Sequence, residues 1–262
     1  MRRALLDELR EAVARALDEV EGVVALRAAW GGMAPYLFRS REELGELALS
    51  PKYPLPAVLQ LIQKSHPESK LGIVCRGCEE RGLIEMAKRG QIDLNNVLVI
   101  GLACTAEEAR ECRCEKPYPG VLVTECVGEK VEGVADELVE QFLAQSTPER
   151  LDFWRAQFAK CIKCYGCRNA CPQCFCEECA LEEELWVERG QVPPPFPVFH
   201  LIRAMHTVGK CVGCRECELA CPADIPLTLL YTLLRRDVRE LFGYEAGRSV
   251  EEEPPLVVTL EE

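Results

Sequence analysis

Histidine is nearly absent from this chain, with three in 262 residues. An imidazole-based hydrolytic site therefore has little to draw on. His66 precedes a proline in an expected loop. His200 and His206, six apart on an expected helix, do not share one face well, so ordinary packing or an N–H to a neighbouring sulfur is their expected role. Positive charge is short too: 31 Lys and Arg stand against 43 Asp and Glu, a net charge of −12. That balance speaks against a nucleic-acid binder held by phosphate contacts and suits a protein that meets cationic patches on other proteins. Long apolar runs are missing; Val97 to Cys104 is the longest, far below the roughly 18 residues of a membrane span. The opening Met1-Arg2-Arg3-Ala4-Leu5-Leu6-Asp7-Glu8 turns acidic at once and does not read as a secretory signal, so a cytoplasmic location is expected. No Gly-x-Gly-x-x-Gly stretch occurs. What is abundant is cysteine, 17 residues. In a reducing compartment these read as metal ligands or redox groups rather than disulfides.

Hydrophobic periodicity predicts an amphipathic helix over residues 4–20, carried by Leu6, Leu9, Val13, Leu17 and Val20, then a short strand at Val23–Leu26. A helix at 57–64, strands at 71–74, 96–102 and 121–123, and a helix at 79–89 complete a β-α-β pattern. Thr105 with Glu108 forms an expected capping box. Val134, Leu138, Val139 and Phe142 mark one more helix. Residues 1–145 thus read as a small α/β domain. A second unit, 146–247, opens at Ser146-Thr147-Pro148-Glu149 and is expected to be α-rich, with helices over 199–208 and from Leu227 to Leu241. Trp154 and Trp186 read as core, and Arg235, Arg236 and Arg239 as a solvated face. Residues 248–262 read as an acidic tail.

The strongest motif occurs twice. Cys161, Cys164, Cys167 and Cys171 stand at gaps of two, two and three residues before Pro172, and Cys211, Cys214, Cys217 and Cys221 repeat the pattern before Pro222. This is the bacterial ferredoxin run, in which the fourth cysteine ligates the other cluster of a pair. One [4Fe–4S] cluster is therefore assigned to Cys161, Cys164, Cys167 and Cys221, the other to Cys211, Cys214, Cys217 and Cys171. Gly166 and Gly213 leave room for backbone N–H groups to approach cluster sulfurs. Zinc ribbons also use Cys-x-x-Cys but as two separated pairs, which is not the spacing here. The Cys167-x-x-x-Cys171-x-x-Cys174 spacing of radical enzymes is set aside because it lies inside the longer run. Cys174, Cys176 and Cys179 follow as candidate ligands of a further cluster or a small zinc site, with Cys126 and Cys75 as candidates for the fourth position; the alternative is buried free thiols. Cys78, Cys104, Cys112 and Cys114 gather at the carboxyl edge of the predicted sheet and form a candidate third [4Fe–4S] site, the alternative being inert core residues.

These blocks resemble the β subunits of deazaflavin-linked hydrogenases and formate dehydrogenases, in particular the short iron–sulfur type associated with heterodisulfide reductases. The resemblance rests on Cys78-Glu79-Glu80-Arg81-Gly82-Leu83-Ile84, on Asn96 to Cys104, on Cys114-Glu115-Lys116-Pro117-Tyr118-Pro119, on Cys161 to Cys179, on His200 to Cys221 and on Leu241 to Gly247. It implies an electron-transfer subunit that passes electrons between a formate dehydrogenase or hydrogenase and a second redox module, alongside other subunits of a redox complex. Larger members bind flavin (FAD) and act on the deazaflavin coenzyme themselves; here the cysteine-rich edge competes for the place a flavin would take. The acidic stretch of Glu177, Glu178, Glu182, Glu183 and Glu184 is expected to push cluster potentials low.

Overall fold

The computed structural model describes residues 2–29 and 31–255. The last seven residues of the expected acidic tail, 256–262, lie outside the described residues. The chain falls into two units, Met1–Ala135 with Gly247–Glu251 and Asp136–Ala246 with the residues from Glu252 on.

The first unit is an α/β layer structure. Its elements are α1 (Arg2–Ala16), β1 (Gly22–Ala29), β2 (Gly32–Phe38), β3 (Leu47–Ala48), α2 (Leu55–Ser65), β4 (Leu71–Cys75), α3 (Gly77–Ala87), β5 (Val97–Leu102), α4 (Ala106–Glu111) and β6 (Glu125–Val127). The sheet runs β2-β1-β4-β5-β6, with β3 also paired to β1. From β1 to β6 every neighbour is parallel, whereas β2 and β3 meet β1 antiparallel. All five residues of β4 are buried, as a central parallel strand covered on both faces requires. Leu9, Ala12 and Val13, on one stripe of α1, are fully buried and pack with Val23, Val74, Ile100 and Val127. The capping box of α4 forms as expected: the Glu108 N–H donates to Thr105 Oγ1 at 3.2 Å, and Thr105 N–H to the Glu108 carboxylate at 2.8 Å.

One strand expectation fails for an identifiable reason. Residues 121–123 form no strand, because the N–H groups of Gly120, Val121 and Leu122 all donate to the Glu80 carboxylate at 2.6–2.8 Å and are unavailable to a ladder. The last parallel strand is β6 instead. In contrast, β2 was not anticipated. Its sequence Gly-Met-Ala-Pro-Tyr-Leu-Phe carries a proline and shows no alternation, and its burial rises only toward Phe38, the pattern of an edge strand.

The second unit contains α5 (Glu137–Leu143), α6 (Thr147–Phe158), α7 (Gly166–Asn169), α8 (Val198–Thr207), α9 (Glu216–Leu219) and α10 (Leu227–Phe242), with no strand among the described residues. Val139 and Phe142 of α5 pack against Leu229, Leu233, Phe153 and Trp154, which places that helix with the second unit. Trp154 joins this core, stacking edge-on to Phe142 at 5.6 Å. Trp186 does not. Leu181 and Val187 take the inward positions of its loop and leave Trp186 facing solvent. The duplicated cysteine runs extend to a structural repeat at an offset of fifty residues. A helix precedes each run (α6, α8) and a one-turn helix carries its third cysteine, Cys167 in α7 and Cys217 in α9. Lys163 and Tyr165 in the first run, and Gly213 and Arg215 in the second, hold left-handed φ of 54°, 59°, 67° and 63°.

Candidate metal centres

Those left-handed residues curl each run so that backbone N–H groups turn inward. Lys163 N–H donates to Cys161 Sγ at 3.4 Å and Gly166 N–H to Cys164 Sγ at 3.5 Å. A Cβ on Gly166 would sit 2.9 Å from the carbonyl oxygen of Ala220, and one on Gly213 would meet the Arg235 guanidinium at 2.3 Å. Gly166 therefore lets the first run touch the segment that carries Cys221. The electrostatic neighbours of Cys161 are Cys164, Cys167 and Cys221. Those of Cys217 are Arg203 and the thiols of Cys214, Cys171 and Cys211. Cys171, Cys211, Cys214 and Cys217 also line one small cavity. Burial pushes the thiols of Cys161, Cys167, Cys211 and Cys217 up, so that charge on these sulfurs calls for a cationic partner.

At the carboxyl edge of the first unit's sheet, Cys75 ends β4, Cys78 opens α3 and Cys104 follows β5. Cys78, Cys104 and Cys114 are mutual electrostatic neighbours, and burial raises the Cys78 thiol to about 11 and the Cys104 thiol further. Cys112 caps the C-terminus of α4. Arg76 is buried beside Cys78 and Cys104. Gly77 lets the loop from Lys116 to Tyr118 lie directly on α3; a Cβ there would stand 2.5 Å from the Tyr118 carbonyl oxygen. Cys75 and Cys126 both lie in this first unit, whereas Cys174, Cys176 and Cys179 lie in the second. These three line one open cavity together with Arg168, His206 and Lys210. The Cys174 thiol also hydrogen-bonds to Cys171, which draws Cys171 down and Cys174 up.

Among the described residues, no three His, Cys, Asp or Glu side chains close on a point that would hold a single ion. Sequence reasoning missed two residues beside the ferredoxin-type quartets. Arg235, read as part of a solvated face, lies against Gly213 and is an electrostatic neighbour of Cys211. Arg203 is 3 % exposed on α8, whose inward face is Phe199, His200, Arg203, Ala204 and Thr207 while Leu201 and Met205 face solvent. The inverted pattern is the signal: a charged residue sits where the helix period calls for an apolar one. His200 has the packing role expected, stacked on Phe158 at 3.8 Å.

Fold and donor sets together define a class, cysteine-rich α/β proteins whose thiolate groups suit iron–sulfur clusters. No family model matches the chain. It is 40 % identical over 124 residues to the F420-dependent formate dehydrogenase subunit beta of Methanocaldococcus jannaschii, covering 46 % of this chain and 33 % of that protein. To the F420-dependent formate dehydrogenase 1 subunit beta of Methanococcus maripaludis it is 34 % identical over 152 residues, 58 % of this chain and 39 % of that one. A stretch of 112 residues is 30 % identical to the acetyl-CoA decarbonylase/synthase complex subunit alpha 1 of Methanosarcina acetivorans, 42 % of this chain and 12 % of that protein. The chain is thus similar, over part of its length, to F420-dependent formate dehydrogenase β subunits, and the matches span between a third and two fifths of those subunits' length. Among the described residues no helix is long and apolar enough to cross a membrane.

Proposed function

We propose that the chain is an electron-transfer subunit in which a ferredoxin-like second unit holds two [4Fe–4S] clusters. The first is held by Cys161, Cys164, Cys167 and Cys221, the second by Cys211, Cys214, Cys217 and Cys171. The observation that carries this reading is the crossing: each set of three neighbouring sulfurs has as its fourth neighbour a cysteine from the other run. When bound, the clusters supply one-electron redox chemistry. The protein's part is to hold them close together, aim N–H groups of Lys163 and Gly166 at their sulfurs, and set the local charge. A third cluster at Cys78, Cys104, Cys112 and Cys114 extends the relay. Cys174, Cys176 and Cys179 remain candidate ligands of a further site. The partners in this reading are a formate dehydrogenase or hydrogenase on one side and a heterodisulfide-reductase-like or other redox module on the other. The names of the homologues support the first of these.

Anaerobically purified protein, assayed for iron, acid-labile sulfide and zinc, tests this directly. About eight irons per chain are expected from the two crossed quartets, and more if the third site fills. A colourless protein whose bound metal is zinc ends the reading. Flavin fluorescence released on denaturation would move the assignment to a flavin-bearing subunit that acts on the deazaflavin coenzyme itself.

A further inference from the structure

Arg203 is a buried cation with no carboxylate partner among the described residues. Its Nη1 donates to the Tyr231 hydroxyl at 2.7 Å and its Nη2 to the Cys167 carbonyl oxygen at 2.6 Å, both neutral acceptors. Its Nε–H is fully buried and has no acceptor among the described residues. An isolated charge in such a place costs several kcal/mol unless an anion lies beside it. The groups around it are cysteines. Cys171, Cys211 and Cys217 of the second quartet have Arg203 as an electrostatic neighbour, as does Cys167 of the first. Arg203 also lines the cavity walled by the second quartet. A dipositive cubane core bound by four thiolates is still anionic, so it is the missing counter-charge. The structural repeat sharpens the point. Fifty residues earlier, at the position matching Arg203, stands Phe153, packed among Phe142 and Trp154. The scaffold is duplicated, but this charge is not.

We propose that Arg203 is the residue that separates the two clusters in potential: its fixed charge and free Nε–H favour the reduced state of the cluster on Cys171, Cys211, Cys214 and Cys217 over that of its neighbour. This rests on the cluster reading above. Reduction adds one electron to a cubane, breaks no bond and increases its negative charge, so a nearby cation raises its midpoint potential. Arg203 is thus a positioning and tuning residue rather than a ligand.

The test is a dithionite titration of the holoprotein followed by electron paramagnetic resonance, with the second cluster's signal identified as the one altered in C214S. In R203Q the reduced-to-oxidised ratio of that cluster at fixed potential should fall at least tenfold, about 59 mV for one electron. The first cluster should shift less, and R203K should recover most of the change. Unmoved midpoints in an iron-replete R203Q overturn the proposal, as does an R203K that behaves like R203Q. If R203Q does not load its clusters, wild-type protein labelled with 15N-arginine decides. An arginine nitrogen coupling to the reduced second cluster that persists in R215K and in R235K supports the proposal. No coupling, or one lost in either variant, overturns it. Iron and sulfide counts on the same samples keep the two failures apart. An iron-free wild type sinks the cluster reading, and an iron-replete wild type indifferent to Arg203 sinks only this inference.

Discussion

Single side chains in this protein do work that element patterns do not reveal. Glu80 is 2 % exposed and gathers three consecutive backbone N–H groups, so its carboxylate, rather than a strand, shapes residues 120–122. Hydrogen bonds to a buried charge are worth about 1.5–3 kcal/mol each, and their loss strands three donors. E80A is therefore expected to lose about 3 kcal/mol or more in urea denaturation and to gain protease sensitivity in that loop; a loss below 1 kcal/mol would show the loop to be held elsewhere. His200 sets a pH dependence. Burial, and then the neighbouring Arg203 charge, hold it down to about 4. With the folded value below the ordinary 6.5, the unfolded chain takes up the proton first. Stability from this group is full above about pH 6.5 and falls by about 3 kcal/mol as pH drops toward 4. Replacing it by a residue that cannot be protonated removes that slope. The stability difference between wild type and H200Q should be constant above pH 7 and should shift against the wild type as pH is lowered to 4.5.

At the scale of elements, close approach decides what the cysteine edge of the first unit can hold. G77A places a methyl group 2.5 Å from one carbonyl oxygen and 2.7 Å from another, and backbone must move to admit it. Overpacking of this kind costs about 1–3 kcal/mol. G77A should be destabilised by that amount and should lose iron from the proposed third site of Cys78, Cys104, Cys112 and Cys114 while the ferredoxin-type signals persist. G45A, with open space around it, is the matched control and should be near neutral. Element patterns were also what the sequence made most legible. The stripe on α1, the wholly apolar β4 and β5 and the Thr105 and Ser146 caps all state themselves locally, and all form. What stayed hidden depends on partners far along the chain. The edge strand β2 exists because β1 offers it a ladder, residues 121–123 are denied one by Glu80 forty residues away, and Arg203 is explained only by cysteines brought to it by the fold. The cysteine quartets are proposed from their spacing, which is the pattern a ferredoxin-type cluster pair uses.

Over the whole chain, charge is unevenly placed. Glu177, Glu178, Glu182, Glu183 and Glu184 are exposed, and Glu182 and Glu184 are paired with Arg168 and Arg189. At 4 Å a unit charge is worth about 1 kcal/mol in water but about 4 kcal/mol at an effective dielectric of ~20, so the few buried cations outweigh the many surface carboxylates in setting local potentials. In the proposed reading, the acidic balance bears on how the molecule meets partners, and Arg203 on the potentials of its interior. The same interior ties distant chain together. If each quartet takes its fourth sulfur from the other run, losing one cysteine must damage the cluster fifty residues away in sequence. C221S should therefore alter the same resonance signal as C164S, and C171S the same signal as C214S, each variant retaining the other cluster. Self-contained runs predict the opposite grouping, C171S with C164S and C221S with C214S. Electron paramagnetic resonance of four dithionite-reduced single variants separates the two arrangements. The neighbour sets of Cys161 and Cys217 favour the crossed one, in which neither run can assemble its cluster until both have folded.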